Sequence, residues 1–193
     1  MSASTAILSI DTAEITVVKP AGDVRELLIG CGNSRERRVM IGGKSTWENL
    51  TTLDFDPSCK PDVVHDLNDI PLPFADNSFD EIAAFEVLEH VGRQGDWQFF
   101  FDQWADFHRI IKPGGIFIGS CPHYSSPWAW GDPSHSRIVG VESLTFLSQK
   151  AYEQVGKTAM TDFRSHYSAD WELVGEQVTP ELVQIFVLHA IKP

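Results

Sequence analysis

Four short segments at fixed spacing constrain this chain more than anything else in it. Leu27-Leu28-Ile29 runs into Gly30-Cys31-Gly32, and Thr51 to Phe55 passes through Leu53-Asp54-Phe55-Asp56. Val63-Val64 runs into His65-Asp66-Leu67, and Phe79-Asp80-Glu81-Ile82 leads through Phe85 and Glu86 to Leu88-Glu89-His90. Each has the apolar character of a buried parallel strand, and open α/β sheets bind ligands just beyond the carboxyl ends of such strands. The set predicts a nucleotide-like ligand lying across those ends. Gly30 and Gly32 let the backbone turn sharply and approach a ligand with no side chain between. Asp54, about two dozen residues on, can accept hydrogen bonds from both hydroxyls of a ribose, with Asp56 as its rival. Asp66 is placed to meet an adenine amino group, and Cys31 reads as small packing material in the turn.

The chain has 193 residues, 42% of them hydrophobic, enough for one well-filled core and too few for two ordinary domains. A single domain over residues 1–193 is expected. The net charge of −12 argues against a nucleic-acid backbone as partner, which needs a lysine and arginine surface, and favours a small molecule or a protein as substrate. Three cysteines without close pairs suit neither a disulfide framework nor a zinc finger and fit a reducing cytoplasm. The first residues carry Asp11 and Glu14 where a signal peptide needs an apolar run, and no stretch approaches the roughly 20 apolar residues of a membrane helix.

Along the chain, Ala6 to Ile10 and Glu14 to Val18 read as an amino-terminal hairpin within residues 1–20. After the first glycine turn, Asn33 or Ser34 can cap a helical turn, and Arg35 to Arg38 reads as a solvated helix face or as a contact for an anionic substrate. Behind Asp96, a good cap, Trp97, Phe100, Trp104, Phe107 and Ile111 form one apolar stripe of a long helix. Lys112-Pro113-Gly114-Gly115 should stop it before a buried strand at Ile116 to Gly119. A loop from His123 to His135, an apolar helix between Val141 and Gln154, and a closing hairpin of Trp171 to Val178 and Leu182 to Ala190 complete the pattern.

The loop holds further candidate chemistry. His90, His123 and His135 are candidate general bases, since histidine titrates nearest neutral pH. Asp132 is placed to orient His135, or merely to start a turn at Pro133. His123, Asp132 and His135 can also be read as two imidazoles and a carboxylate around a metal, although no metal ligand is assigned. Tyr124, Trp128 and Trp130 either wall an acceptor pocket or bury the loop.

From Arg25 to Pro122 the chain resembles the class I S-adenosylmethionine-dependent methyltransferases, and within them the type 11-like group. The most specific pieces are Pro71-Leu72-Pro73-Phe74-Ala75-Asp76-Asn77-Ser78-Phe79-Asp80 and Arg109-Ile110-Ile111-Lys112-Pro113-Gly114-Gly115. The resemblance implies an α/β, Rossmann-like fold: a seven-stranded, mostly parallel sheet with an antiparallel last strand and helices on both faces. It implies S-adenosylmethionine as cofactor. Gly30, Cys31 and Gly32 would pass under its methionine part, Asp54 with Phe55 would hold the ribose, Asp66 and Leu67 would meet the adenine, and Phe85 and Glu86 would lie near the sulfonium. The family often has an acid two places before the first glycine, where this chain has Leu28, and Glu26 is not expected to replace it.

The expected activity is methyl transfer to a small-molecule or protein acceptor, in which the enzyme aligns the two reactants and removes a proton where needed. The alternatives are a donor-binding module without catalysis and a subunit that works only with a partner. A nicotinamide dehydrogenase is opposed by the missing third glycine, since none follows Gly32 until Gly42. With a short amino-terminal region, the pocket is expected to be open, or closed by a second copy in a homodimer.

Overall fold

The computed structural model describes residues 8–9 and 23–193. Strand β1 is Leu8–Ser9, followed by β2 (Glu26–Ile29), β3 (Val39–Met40), β4 (Leu50–Asp54), β5 (Val63–Val64) and β6 (Phe79–Phe85). Helix α1 (Trp97–Ile110) leads into β7 (Ile111–Pro122), the short helices α2 (Pro127–Gly131) and α3 (Val141–Leu144), and the strands β8 (Asp170–Val178) and β9 (Val183–Ile191). Seven strands form one sheet in the order β5-β4-β2-β6-β7-β9-β8. The pairs from β5 to β7 are parallel, and β9 runs antiparallel between β7 and β8. This is the expected mostly parallel sheet with an antiparallel last strand.

The order doubles back at β2, which has β4 on one side and β6 on the other, so the crevice for a ligand opens at the ends of these three strands. Ile29 is in register with Leu53 and with Ala84. The next residues, Gly30, Asp54 and Phe85, therefore stand side by side at the ends of their strands. Leu27, Ile29, Leu53 and Ile82 are fully buried on the face that packs α1. Leu28, Ala83, Ile118 and Val187 point the other way, onto Val39, Ile41 and Trp47.

Helix α1 begins where expected, with the Asp96 carboxylate accepting from the Phe99 N–H at 3.1 Å. Its buried stripe is Phe101, Trp104, Phe107 and Ile110, rotated from the expected one: Trp97 is 44% exposed, and Ile111 already belongs to β7. Asp106 is buried on the same helix because it accepts from the Leu72 N–H at 2.7 Å and from Arg109 at 2.7 Å. Arg109 in turn donates to the carbonyls of Phe74 and Leu72 and to Asp76. The two most family-like segments are thus bolted to each other, and what they hold is the scaffold behind β6.

Several local expectations fail for visible reasons. No helix follows Ser34; its hydroxyl accepts from Glu36 N–H and the chain runs without regular structure into β3. Arg37 is buried, bonded to Glu81 at 2.8 Å and to Glu26 at 3.3 Å, so Arg35 to Arg38 is no solvated helix face. Lys112 to Gly115 does not separate helix from strand: β7 starts at Ile111, and these residues bulge out where the register jumps from Phe79↔Ile111 to Glu81↔Ile116. The helix expected between Val141 and Gln154 is one α-turn followed by 3-10 turns at Thr145–Leu147 and Lys150–Gln154. There the hydroxyls of Ser143 and Thr145 bond the carbonyls of Gly140 and Val141, in competition with the helical ladder. Of the expected amino-terminal hairpin, Leu8–Ser9 pairs in parallel with Val39–Met40, and Glu14 to Val18 lies outside the described residues. Among the described residues, no helix is long and apolar enough to cross a membrane.

Candidate functional site

The turn after β2 is held from beneath by one carboxylate. Asp54 is buried and accepts from the Gly32 N–H at 2.7 Å through one oxygen and from the Asp56 N–H at 3.0 Å through the other. Each oxygen keeps a second lone pair for a ligand hydroxyl. Arg35 fastens the same turn to the loop after β4, donating to the carbonyls of Gly32, Cys59 and Lys60. Gly30 has φ +60°, and a Cβ there would lie 2.1 Å from Val87, so only glycine fits between the turn and the end of β6. At Gly32 an added Cβ would meet nothing within 4 Å, which leaves room for a ligand against the backbone. Cys31 is buried, and burial pushes its thiol up, as suits packing and not nucleophilic chemistry.

Asp66 is exposed, and its carboxylate accepts from the backbone and side-chain N–H groups of Asn68. Leu67 is buried beneath it, and the Asn68 amide oxygen accepts from the Gly92 N–H at 2.8 Å, tying this loop to the one after β6. Phe55, next to Asp54, is 72% exposed. Leu28 is buried in the sheet's second apolar cluster, and Glu26 sits at the far end of β2, held by Arg37, Lys44 and the N–H groups of Glu48 and Asn49. Neither reaches the turn, so the chain supplies no acid at the usual place on β2.

The other side of the crevice is a cavity of about 320 Å³ with Glu86, Glu89, His90, Ser126, Trp128 and His135 in its wall. A cavity of the same volume at the start of α1 has Trp97, Phe100, Phe101, Phe146 and Phe163 in its wall beside Arg93, Asp96 and Glu142; the cavity at the end of β6 is the one that adjoins the glycine turn and holds the histidines. Glu86 has φ +57°, its N–H donates to the Ser120 carbonyl, and its carboxylate accepts from the Ser120 hydroxyl at 2.8 Å. Burial pushes its carboxyl above the usual range. Glu89 is only 3% exposed, one of its oxygens has no hydrogen-bond partner, and burial pushes its carboxyl up to about 7.

The segment bearing His135 is laid onto Glu89 by its backbone. Ser136 N–H donates to the Glu89 carbonyl at 2.8 Å, and Arg137, itself buried, donates to the Leu88 carbonyl at 2.9 Å and to Gln103 at 2.6 Å. The result sets the rings of His90 and His135 4.7 Å apart, edge to face. Ligand atoms of Glu89, His90 and His135 lie within 4.8 Å of one another. Asp132 does not orient His135: its carboxylate is 3.9 Å away, too far for a hydrogen bond, and accepts from Ser134 N–H and hydroxyl in the turn at Pro133. The trio of His123, Asp132 and His135 is therefore replaced by Glu89, His90 and His135. His123 bonds Ser125 at 2.7 Å and packs at a tilt against Tyr124, and it is not in the cavity wall. Trp128 and Trp130 are 71% and 72% exposed, so they do not bury the loop, and Trp128 borders the cavity.

Sequence reasoning missed Arg137 and Gln103, which seat the histidine loop. Only an arginine in an apolar stretch, followed by Ile138 and Val139, hinted at burial.

Residues 27–119 match the family described as "Methyltransferase domain". A protein of Mycolicibacterium smegmatis described as a probable S-adenosylmethionine-dependent methyltransferase is 30% identical over 102 residues, which cover 50% of this chain and 37% of that relative. The chain thus spans well under half of the relative's length. Among solved structures, a SAM-dependent methyltransferase from Archaeoglobus fulgidus has a TM-score of 0.52 at 15% identity, covering 87% of this chain and 86% of that one. A chain of the complex between the Haloferax volcanii Trm112 methyltransferase activator and the putative methyltransferase has a TM-score of 0.51 at 16% identity, covering 94% and 89%. At such identities these two speak for the fold alone. The matched segment carries β2, β4, β5 and β6, whose ends bound the crevice, and with this sheet order residues 27–119 are similar to the methyltransferase-domain family, on a fold of the Rossmann-like methyltransferase kind.

Proposed function

We propose that this chain, acting as one domain in a reducing cytoplasm, transfers a methyl group from S-adenosylmethionine to a small acceptor seated in the Glu86–His135 cavity. Its three cysteines are all free, which suits that compartment. The observation that carries the reading is the pairing of a carboxylate-braced glycine turn with a polar cavity that shares the end of β6. In this reading Gly30, Cys31 and Gly32 pass under the donor, Asp54 takes the ribose hydroxyls beside Phe55, Asp66 and Leu67 border the adenine, and Phe85 and Glu86 border the methyl end. When bound, the donor supplies a methyl group already activated by its sulfonium charge. The protein's part is alignment and exclusion of water, with the exposed face of Trp128 offered to a flat acceptor. At about 320 Å³ the cavity is at the small end for ligand sites and fits a small molecule or a single side chain.

The test is isothermal titration with S-adenosylmethionine and S-adenosylhomocysteine on wild type and Asp54→Ala. Saturable binding that disappears in the variant is the expected result, and wild type that binds neither ligand defeats the reading. A second reading, a subunit active only with a partner, is favoured by Phe55 standing exposed beside Asp54, as a surface that a partner would cover. It predicts donor binding that is weak alone and rises when the partner is added.

A further inference from the structure

The Glu89–His90–His135 cluster has features that the methyl-donor reading leaves unused. A carboxylate at 3% exposure with one oxygen unpartnered is costly to keep, and so is the buried, unpartnered Nδ1 of His135. Both belong to the same wall, with the exposed His90 beside them. The Ser134 carbonyl lies 3.3 Å from His90 Nδ1, which draws the ring proton to that nitrogen and leaves Nε2 with a free lone pair. Three donors within 4.8 Å of one another, drawn from two segments clamped together by backbone bonds to the Glu89 carbonyl, are the set that a first-row divalent ion takes from imidazole and carboxylate.

We infer that Glu89, His90 and His135 bind one divalent transition-metal ion, of the Zn²⁺ or Mn²⁺ kind, in the cavity beside the donor site, and that this ion receives the oxygen of a hydroxylated acceptor. Three protein ligands leave coordination positions open, as catalytic metal sites require. Glu86, in the same wall, adds negative charge without being needed as a ligand. The ion acts as a Lewis acid on the acceptor hydroxyl, whose proton leaves to water at the cavity mouth. The oxygen then forms its bond to the methyl carbon as the carbon–sulfur bond of the donor breaks, leaving a neutral thioether. The metal site stands on geometry alone; the acceptor class rests on the methyltransferase reading.

The test uses the full chain freed of metal, titrated with Mn²⁺ and followed by electron paramagnetic resonance, then with Zn²⁺ by calorimetry, both without donor. One ion per chain is expected. His135→Ala and His90→Ala should each weaken binding by at least ~100-fold, since loss of a mere supporting contact costs about 10–100-fold. Glu89→Gln should do the same, and because Glu89 is buried, the exposed His90 keeps the test valid where that variant fails to fold. His123→Ala should leave binding unchanged. Asp54→Ala should lose the donor and keep the metal, which separates failure of this site from failure of the donor reading. No saturable uptake by wild type, or uptake that survives the His90→Ala/His135→Ala double variant, overturns the site. Transfer of labelled methyl to a pool of hydroxylated compounds should fall after chelation and return with Mn²⁺ or Zn²⁺; transfer undiminished by chelation overturns the role given to the ion.

Discussion

On the Gly30 side of the crevice the buried polar groups satisfy one another, whereas on the His135 side several have no partner. Asp54 spends an oxygen on each of two backbone N–H groups, and Arg35 ties down three carbonyls. Across the crevice, Glu89 and His135 each keep a buried atom unpaired. On the proposed reading, the difference separates a surface shaped in advance for one fixed ligand from a surface whose polar groups are completed by what enters. Preorganised backbone suits a donor common to a whole family, and unpaired ligating atoms suit the part of the site that distinguishes one acceptor from another.

The largest effect expected from breaking this contrast is at Asp54. Asp54→Ala strips a charged acceptor from two N–H groups, at roughly 1.5–3 kcal/mol each, so stability should fall by about 3 kcal/mol or more and donor affinity by at least ~100-fold. Asp54→Asn keeps one acceptor oxygen and should fall between. Chemical denaturation and donor titration read the two quantities separately. If Asp54→Ala retains donor affinity, the Gly30 side is not the preorganised half.

Next comes Arg137, which seats the other side. Arg137→Leu removes a buried cation whose donors satisfy the Leu88 carbonyl and Gln103, and each orphaned acceptor costs about 1–3 kcal/mol. The expected loss is roughly 2–4 kcal/mol, with a melting temperature lower by roughly 4–16 °C for a chain of this size. Donor binding should survive at a temperature where the variant is folded, because none of the Gly30 contacts passes through Arg137. Equal loss of donor affinity would show that the two sides are one mechanical unit.

How far the two sides could be read in the sequence follows the same divide. That Gly30, Gly32 and Asp54 meet at one turn was legible because strand ends, glycine and a carboxylate at this spacing are local signals. The seat of His135 was not, since it consists of backbone bonds to Glu89 and of Arg137 reaching Gln103, contacts between residues 34 or more apart that leave no periodic trace. Asp132 misled because an Asp three residues before a His reads equally as an orienting partner and as a turn residue, and the local bond to Ser134 won. In the scaffold, the α1 stripe was displaced because Asp106 and Gln103 are buried as paired polar groups that a count of apolar residues cannot see. Arg37 was hidden for the same reason: its partners Glu26 and Glu81 come from two different strands.

A finer comparison is available within the glycine turn. Gly30→Ala must push Val87 aside as well as hold a left-handed backbone, whereas Gly32→Ala bears the backbone cost alone. The first should lose about 2–4 kcal/mol and the second about 1–2 kcal/mol. For donor binding the order should reverse, because the Cβ at Gly32 points into open space that a ligand would occupy. Thermal melts and donor titrations on both variants decide it, and matching profiles would mean that Gly32 does not face the ligand.

The smallest effect is expected at His123, and it bears on which histidines belong to the site. Its ring bonds the Ser125 hydroxyl and packs at a tilt against Tyr124, outside the cavity wall. His123→Ala should therefore move stability by no more than about 0.5 kcal/mol, as surface substitutions do, and leave donor affinity unchanged. His135→Ala, by contrast, should slow methyl transfer by roughly 10²–10⁴-fold, the range over which a positioned proton-transfer or metal-held group acts. Single-turnover transfer from labelled donor, measured on both variants, carries the distinction. If His123→Ala slows transfer as much as His135→Ala, the loop must rearrange on binding to bring His123 in, and the unpaired atoms of Glu89 and His135 would then mark a resting state and not the acceptor side itself.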